Sequence, residues 1–181
     1  DCAEKSCASA VLGQPELDLL HESSRQVSFL KGDILVQEGS LTSNILYLRS
    51  GLVKEYTRGA NGREQIVQII RQFSYLGLSS LFGDRVNRCS YAALEDAEVC
   101  YIDIALFTNL VRQNGAFAYE ILVSVSRDNL HSFHRFVNQS QKKSFGRVAD
   151  AVLYFSRIIF EQPGFDLPFT RQEFADLVGI T

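Results

Sequence analysis

Few side chains in this chain are placed to do chemistry. Of three histidines, His131 and His134 stand three apart and would share one face of a helix. That arrangement suits a metal ion, but no carboxylate or cysteine nearby completes a ligand set, so a solvated or interfacial role is expected. Four cysteines, Cys2, Cys7, Cys89 and Cys100, do not read as the disulfide framework of a secreted protein in a chain of 181 residues. A reducing, cytoplasmic setting is expected. Cys100 alternates with Ile102 and Ile104, a pattern that suits a small apolar residue on the inner face of a strand. There is no phosphate-cradling glycine loop, nucleophile elbow or pair of catalytic carboxylates. Asp84 and Arg85, after Gly83, sit in a turn without catalytic partners. No enzymatic activity is expected. The most informative residues lie at 170–181. Thr170 can cap a helix, Glu173 supplies the capping-box partner, and Phe174, Leu177 and Val178 give one apolar face. Gly179 can take the left-handed conformation that ends a helix and opens a tight turn.

The elements that must position these residues follow from periodicity. A short helix is expected at 15–21. Short apolar runs then alternate with turn residues, giving strands at 27–30, 34–36, 45–48, 52–57, 66–70, 91–94 and 99–104. Gly59-Ala60-Asn61-Gly62 is a hairpin turn, because Asn-Gly readily adopts positive φ. Closely spaced strands of this length indicate an all-β roll or barrel. The period becomes helical after Asp103: a short helix at 105–112, a break at Asn114-Gly115, and a long helix from Ala116 to about Ser140. Its apolar residues cover more than one stripe, so it can pack on its own domain with one face and on a partner with another. A further helix is expected at 145–160, ended by Pro163-Gly164.

Composition is ordinary for a globular chain: 46% hydrophobic, 22% charged, net charge -3. No apolar run is long enough to span a bilayer, so no membrane partner is expected. The mild acidity argues weakly against nucleic acid, but residues 127–147 carry Arg127, Arg135, Lys142, Lys143 and Arg147 against a single acid, Asp128. Residues 170–181 have the form of the front half of a helix-turn-helix. In such motifs the next helix enters the major groove, and here it is expected beyond Thr181. The opening Asp1 likewise leads to the expectation that the natural start lies further upstream.

Two groups of residues, Lys31-Gly32-Asp33-Ile34-Leu35 with Glu38-Gly39 and residues 46–54 (Leu46 to Lys54, with Gly51), resemble the turns of the β-roll in CRP/FNR transcription factors, the cyclic AMP receptor protein/fumarate-nitrate reduction regulator family. Residues 170–181 resemble the same family's helix-turn-helix, in the same order along the chain. The resemblance implies an α+β fold. Residues 1–114 would form an N-terminal double-stranded β-roll, a jelly roll of the cyclic-nucleotide-binding type that senses an effector. Residues 115–140 would form the dimerisation helix, and residues 141–181 the start of a winged helix-turn-helix. It implies a homodimer paired through Phe117, Ile121, Leu122, Val125 and Phe136, contacts from Thr170, Arg171 and Gln172 to double-stranded DNA, and RNA polymerase as a further partner. A helix N-terminus with a hydroxyl and a cation suits a phosphate oxygen.

The family's nucleotide pocket uses a Gly-Glu pair for the ribose and an Arg-Ser pair for the cyclic phosphate. The matching residues are Gly77, Leu78 and Ser79, then Arg88 and Cys89. Leu78 cannot accept a ribose hydroxyl, and Cys89 is a poorer donor than serine. The effector is therefore expected to be something other than cyclic AMP. Oxygen-sensing members hold an iron–sulfur cluster on cysteines. Cys7 and Cys100 match two such positions and Cys2 lies near a third, whereas a cluster needs four thiolates. No cluster, and no other metal, is the expectation. Two further readings stay open: an oxygen- or redox-sensing regulator using Cys2, Cys7 and Cys100, and a cyclic-nucleotide-type regulatory module of a larger signalling protein such as a kinase or channel. A cupin-type metalloenzyme would need histidines on the strands, which carry none.

Overall fold

The computed structural model describes residues 8–59 and 62–180. A 3-10 turn at Ser9–Val11 leads into α1 (Gln14–Ser23). Eight strands follow: β1 (Ser24–Phe29), β2 (Ile34–Val36), β3 (Asn44–Ser50), β4 (Leu52–Arg58), β5 (Glu64–Arg71), β6 (Ser74–Leu76), β7 (Ser90–Ala93) and β8 (Ala97–Asp103), with α2 (Leu78–Phe82) between β6 and β7. They pair antiparallel into two four-stranded sheets, ordered β1-β8-β3-β6 and β2-β7-β4-β5. Sequence neighbours β3 and β4 lie in different sheets, so the chain rolls over between them at Gly51. That glycine has φ 90°, and a Cβ there would stand 2.6 Å from the Asp96 carbonyl oxygen. Only glycine meets both demands.

The core has three parts. Leu46, Leu48, Val53, Ile70, Leu76 and Val99 fill the space between the sheets. Outside the first sheet, Ile45, Tyr47, Cys100 and Ile102 pack against α1 and the helices that follow β8. Outside the second sheet, Leu52, Tyr56, Ile66 and Ile69 pack against the C-terminal helices. Helices on both outer faces explain why the strands read as near-continuous apolar runs rather than as strict alternation. All four residues of β7 are buried.

The helices are α3 (Ile104–Gln113), α4 (Gly115–Gln141), α5 (Ser144–Tyr154) and α6 (Arg171–Val178). Asp103 caps α3, accepting from the Ala105 and Leu106 N–H groups, and Asn114 caps α4 by accepting from Phe117 N–H. The helix expected at 145–160 is α5 followed by one π-helical turn, Phe155–Ile159. The wider turn seats the fully buried Phe155 among the rings of Phe160, Phe165 and Phe169. Helix α4, with 27 residues, is about 40 Å long. No helix among the described residues is long and apolar enough to cross a membrane. Of the expected hairpin turn, Ala60 and Asn61 lie outside the described residues; β4 and β5 pair across it from Arg58↔Glu64 onward.

Candidate functional site

Two places carry the features of a functional site: a cavity within the β-roll and the docked C-terminal helix. The cavity, about 280 Å³, opens beside the loop joining β2 to β3 and is lined among others by Leu35, Thr42, Leu76, Gly77, Asn87 and Tyr101. Asn87 organises its wall. Its Oδ1 accepts from Thr42 Oγ1 at 3.2 Å, its Nδ2 donates to Ser40 Oγ at 3.0 Å, and its carbonyl accepts from Gly39 N–H at 2.8 Å. Gly77 enters with φ 85°, which turns β6 into α2. Among the described residues, none that lines this cavity carries a charged side chain.

The five sequence-derived pocket residues are not gathered there. Gly77 lines the cavity. Leu78 is buried in the core beside Leu81 and Phe107, and Ser79 is exposed on α2. Arg88 is exposed and pairs with Asp84 across one helical-type spacing. Cys89 is a free, half-buried thiol, and burial together with the Glu55 carboxylate pushes its pKa up to about 12. It is therefore protonated at neutral pH, a weak donor and not a nucleophile.

Cys2 and Cys7 lie outside the described residues. Cys100, on β8, is fully buried beside Ala8 and Leu12 in the core and is disulfide-bonded. Its place in the core is the one its alternation with Ile102 indicated. Among the described residues no group of three potential ligands could hold a metal.

Helix α6 begins with a complete capping box: the Glu173 N–H donates to Thr170 Oγ1 at 3.2 Å, and the Thr170 N–H donates to Glu173 Oε2 at 2.9 Å. It ends at Gly179, which is left-handed with φ 66°. Arg171 and Gln172 are exposed; Gln172 donates to Asp176 at 2.9 Å. The rest of the helix is tied to the roll. Lys54 Nζ, on β4, lies 2.8 Å from Glu64 and 2.8 Å from Glu173. Burial opposes charge on Lys54, yet its bonds to the two carboxylates outweigh this and raise its pKa. Burial likewise opposes charge on Glu173, but Lys54 and the Thr170 N–H outweigh it and lower its pKa. Arg63 pairs with Asp176 at 3.0 Å. From α4, Arg135 donates to the carbonyls of Ile66, Val67 and Leu177 at 3.0, 2.5 and 2.7 Å. The local sequence placed Lys54 in a β-roll run and Arg135 in a basic run without giving either a partner, and left Asn87 unmarked, because the partners of all three are distant in the chain.

The five residues expected to pair two copies divide between two faces of α4. Phe117 and Ile121 are buried in the chain's own core, with Val125 packed against it. Leu122 and Phe136 are 61% and 69% exposed, in company with Tyr119, Leu130 and Phe133.

Residues 26–114 match the cyclic nucleotide-binding domain family. The fumarate and nitrate reduction regulatory protein of Vibrio cholerae is 28% identical, covering 100% of this chain and 74% of its own. The cAMP-activated global transcriptional regulator CRP of Escherichia coli O6:H1 is 23% identical over 93% of this chain and 84% of its own. Among solved structures, the c-di-GMP-responsive regulator CLP of Xanthomonas campestris superposes with TM-score 0.80 at 18% identity, covering 93% of this chain and 86% of that one. FixK2 of Bradyrhizobium japonicum gives 0.79 at 19% identity, covering 87% and 78%. The β-roll is therefore a cyclic nucleotide-binding fold with a long helix after it. Over nearly its whole length the chain is similar to regulators of the CRP/FNR type, and the relatives it matches are regulators of transcription.

Proposed function

We propose that this regulator works as a homodimer on double-stranded DNA, with an uncharged or weakly polar effector received in the β-roll. The observation that carries the reading is the row of exposed apolar residues on α4, Tyr119, Leu122, Leu130, Phe133 and Phe136. Such a row on a long helix is a pairing surface for a second long helix, since an apolar stripe of that kind gains free energy by leaving water. Pairing would set two copies of the C-terminal module at a fixed separation. The exposed Thr170, Arg171 and Gln172 at the start of α6 would then contact DNA backbone, and residues beyond Gly179 would read bases. Residues 1–114, 115–140 and 141–181 act in this scheme as sensor, pairing helix and DNA-binding module.

The choice of effector rests on the cavity at Gly77 and Asn87. A cyclic phosphate needs a cation or several aimed N–H groups, and the cavity wall carries no cation. The effector acts by favouring the dimer geometry that matches the half-site spacing, a shift between populated states. Calorimetric titration with cyclic AMP is expected to show no micromolar binding; micromolar affinity would exclude the effector assignment. The DNA reading is tested on the full-length protein by selection from random duplexes, followed by mobility shift at two salt concentrations. A two-fold-symmetric site with half-sites about 34 Å apart is expected, with affinity falling as salt rises. Failure to enrich any sequence, or affinity indifferent to salt, would refute it.

A further inference from the structure

A second cavity, of about 250 Å³, lies outside the β-roll, where α4, α5 and α6 meet. Leu177 and Val178 of α6 and Ala151 and Tyr154 of α5 supply its apolar wall. From α4 it receives His131, His134, Arg135, Asn138 and Gln139, and from α5 Arg147 and Asp150. Two of its nitrogens are buried without a hydrogen-bond partner: His131 Nε2 and Arg147 Nε. A buried donor left unpaired is costly, so an occupant that accepts hydrogen bonds from these two lining residues, one on α4 and one on α5, would relieve that cost.

The surrounding charge decides what kind of occupant. Arg135 and Arg147 bring two guanidinium charges. Both donate to main-chain carbonyls at the end of α6, at Leu177 and Gly179, and neither has a carboxylate partner among the described residues. Asp150, the acid on this wall, is taken up by Lys142 at 2.5 Å. The cavity is thus cationic, with an apolar floor. A water molecule would satisfy one nitrogen but would leave the charge excess unanswered.

We propose that this cavity binds a small organic anion, a carboxylate or phosphate ester on a short apolar body, whose oxygens accept hydrogen bonds from Arg147 Nε and His131 Nε2. His131 can donate from Nε2 as the neutral tautomer with its proton there, or as imidazolium. Its ring lies 5.0 Å from that of Tyr154, so both α4 and α5 hold it in place. An occupant touches all three helices and so fixes how α6 sits against α4. The site remains open in the proposed dimer. At 100° per residue, the cavity-facing positions of α4 lie about 160° round the helix from the exposed apolar row.

The test uses isothermal calorimetry on the chain with succinate, glycerol 3-phosphate and inorganic phosphate, against sodium chloride at matched ionic strength. Saturable sub-millimolar binding of succinate or glycerol 3-phosphate is expected, with movement of the His131 ring resonances. Which of the two binds separates carboxylate from phosphate-ester chemistry. Arg147→Lys keeps the charge and removes Nε; His131→Phe keeps the ring against Tyr154 and removes both nitrogens. Each is expected to weaken binding at least tenfold while the circular dichroism stays unchanged. If Arg147→Lys fails to fold, His131→Phe decides alone. Binding of inorganic phosphate only, no binding beyond the chloride control, or undiminished binding in the folded variants would overturn the proposal. None of these readouts depends on DNA or on pairing of α4.

Discussion

Lys54 lies between two carboxylates, 2.8 Å from Glu64 and 2.8 Å from Glu173, with only 10% of its side chain exposed. The ion pair to Glu173 joins residues 119 positions apart and locks the front of α6 to the sheet. Lys54→Met would leave two half-buried carboxylates facing each other. A cost of about 2 kcal/mol is expected, read as a fall in the urea midpoint without a change of slope. The pH dependence has a definite sign. The pKa of Glu173 is lowered from 4.5, so its contribution is full above that value and is lost as pH falls through the lower folded value. The pKa of Lys54 is raised from 10.5, so its contribution is full below that value and is lost as pH rises through the higher folded one. Wild type and Glu173→Gln are therefore expected to differ in urea midpoint near pH 7 and to converge in acid. A difference that does not narrow as pH falls below 4.5 would show that the carboxylate charge is not what holds the helix.

At the scale of elements, α4 is the strut between the roll and the C-terminal helices. Phe117 and Ile121 anchor its start in the core below β3 and β8, through the ring sequence Tyr47, Tyr75, Phe107 and Phe117. Its far half is held by Arg135, whose guanidinium bonds three carbonyls on β5 and α6. Arg135→Met keeps the aliphatic stem and removes every one of those bonds. The expected loss is about 3 kcal/mol, since hydrogen bonds to charged groups contribute about 1.5–3 kcal/mol each but are not additive. Amide exchange should report it locally, with protection falling in α6 before it falls in β3. Equal loss of protection in the two would place the effect in the core instead. The β3–β4 corner is the other sensitive element. Gly51→Ala adds a Cβ at 2.6 Å from a carbonyl oxygen in a backbone with φ 90°, and about 3 kcal/mol of destabilisation is expected in a urea titration.

For the whole molecule, the exposed row on α4 is an apolar surface that a single chain leaves uncovered among the described residues. Leu122 and Phe136 both lie in it. Leu122→Glu with Phe136→Glu should leave the far-ultraviolet dichroism unchanged, because neither side chain enters the core. It should also move the light-scattering mass from dimer to monomer. A doubly substituted chain that still runs as a dimer would mean that pairing uses another surface. The three-part core makes roll and C-terminal helices one packed body: Phe155 and Leu177 share a cluster with Tyr56, Ile66 and Ile69. An effector bound in the roll, as proposed, would have a short physical route to α6 through β4 and β5.

The sequence by itself determined what local rules govern. Strand runs, the Asn114 break, the Thr170–Glu173 capping box and the left-handed Gly179 all depend on residues a few positions apart, where spacing and side-chain type suffice. It also located the switch from β-roll to helices, because hydrophobic period is a local property. Only the tertiary structure decided which face of α4 is used within the chain, that Arg88 pairs with Asp84 and is not among the cavity's lining residues, and that Lys54 and Arg135 hold α6. Those outcomes depend on contacts between residues far apart in the chain, whose free energies arise only once burial has removed water and brought the partners within hydrogen-bond reach.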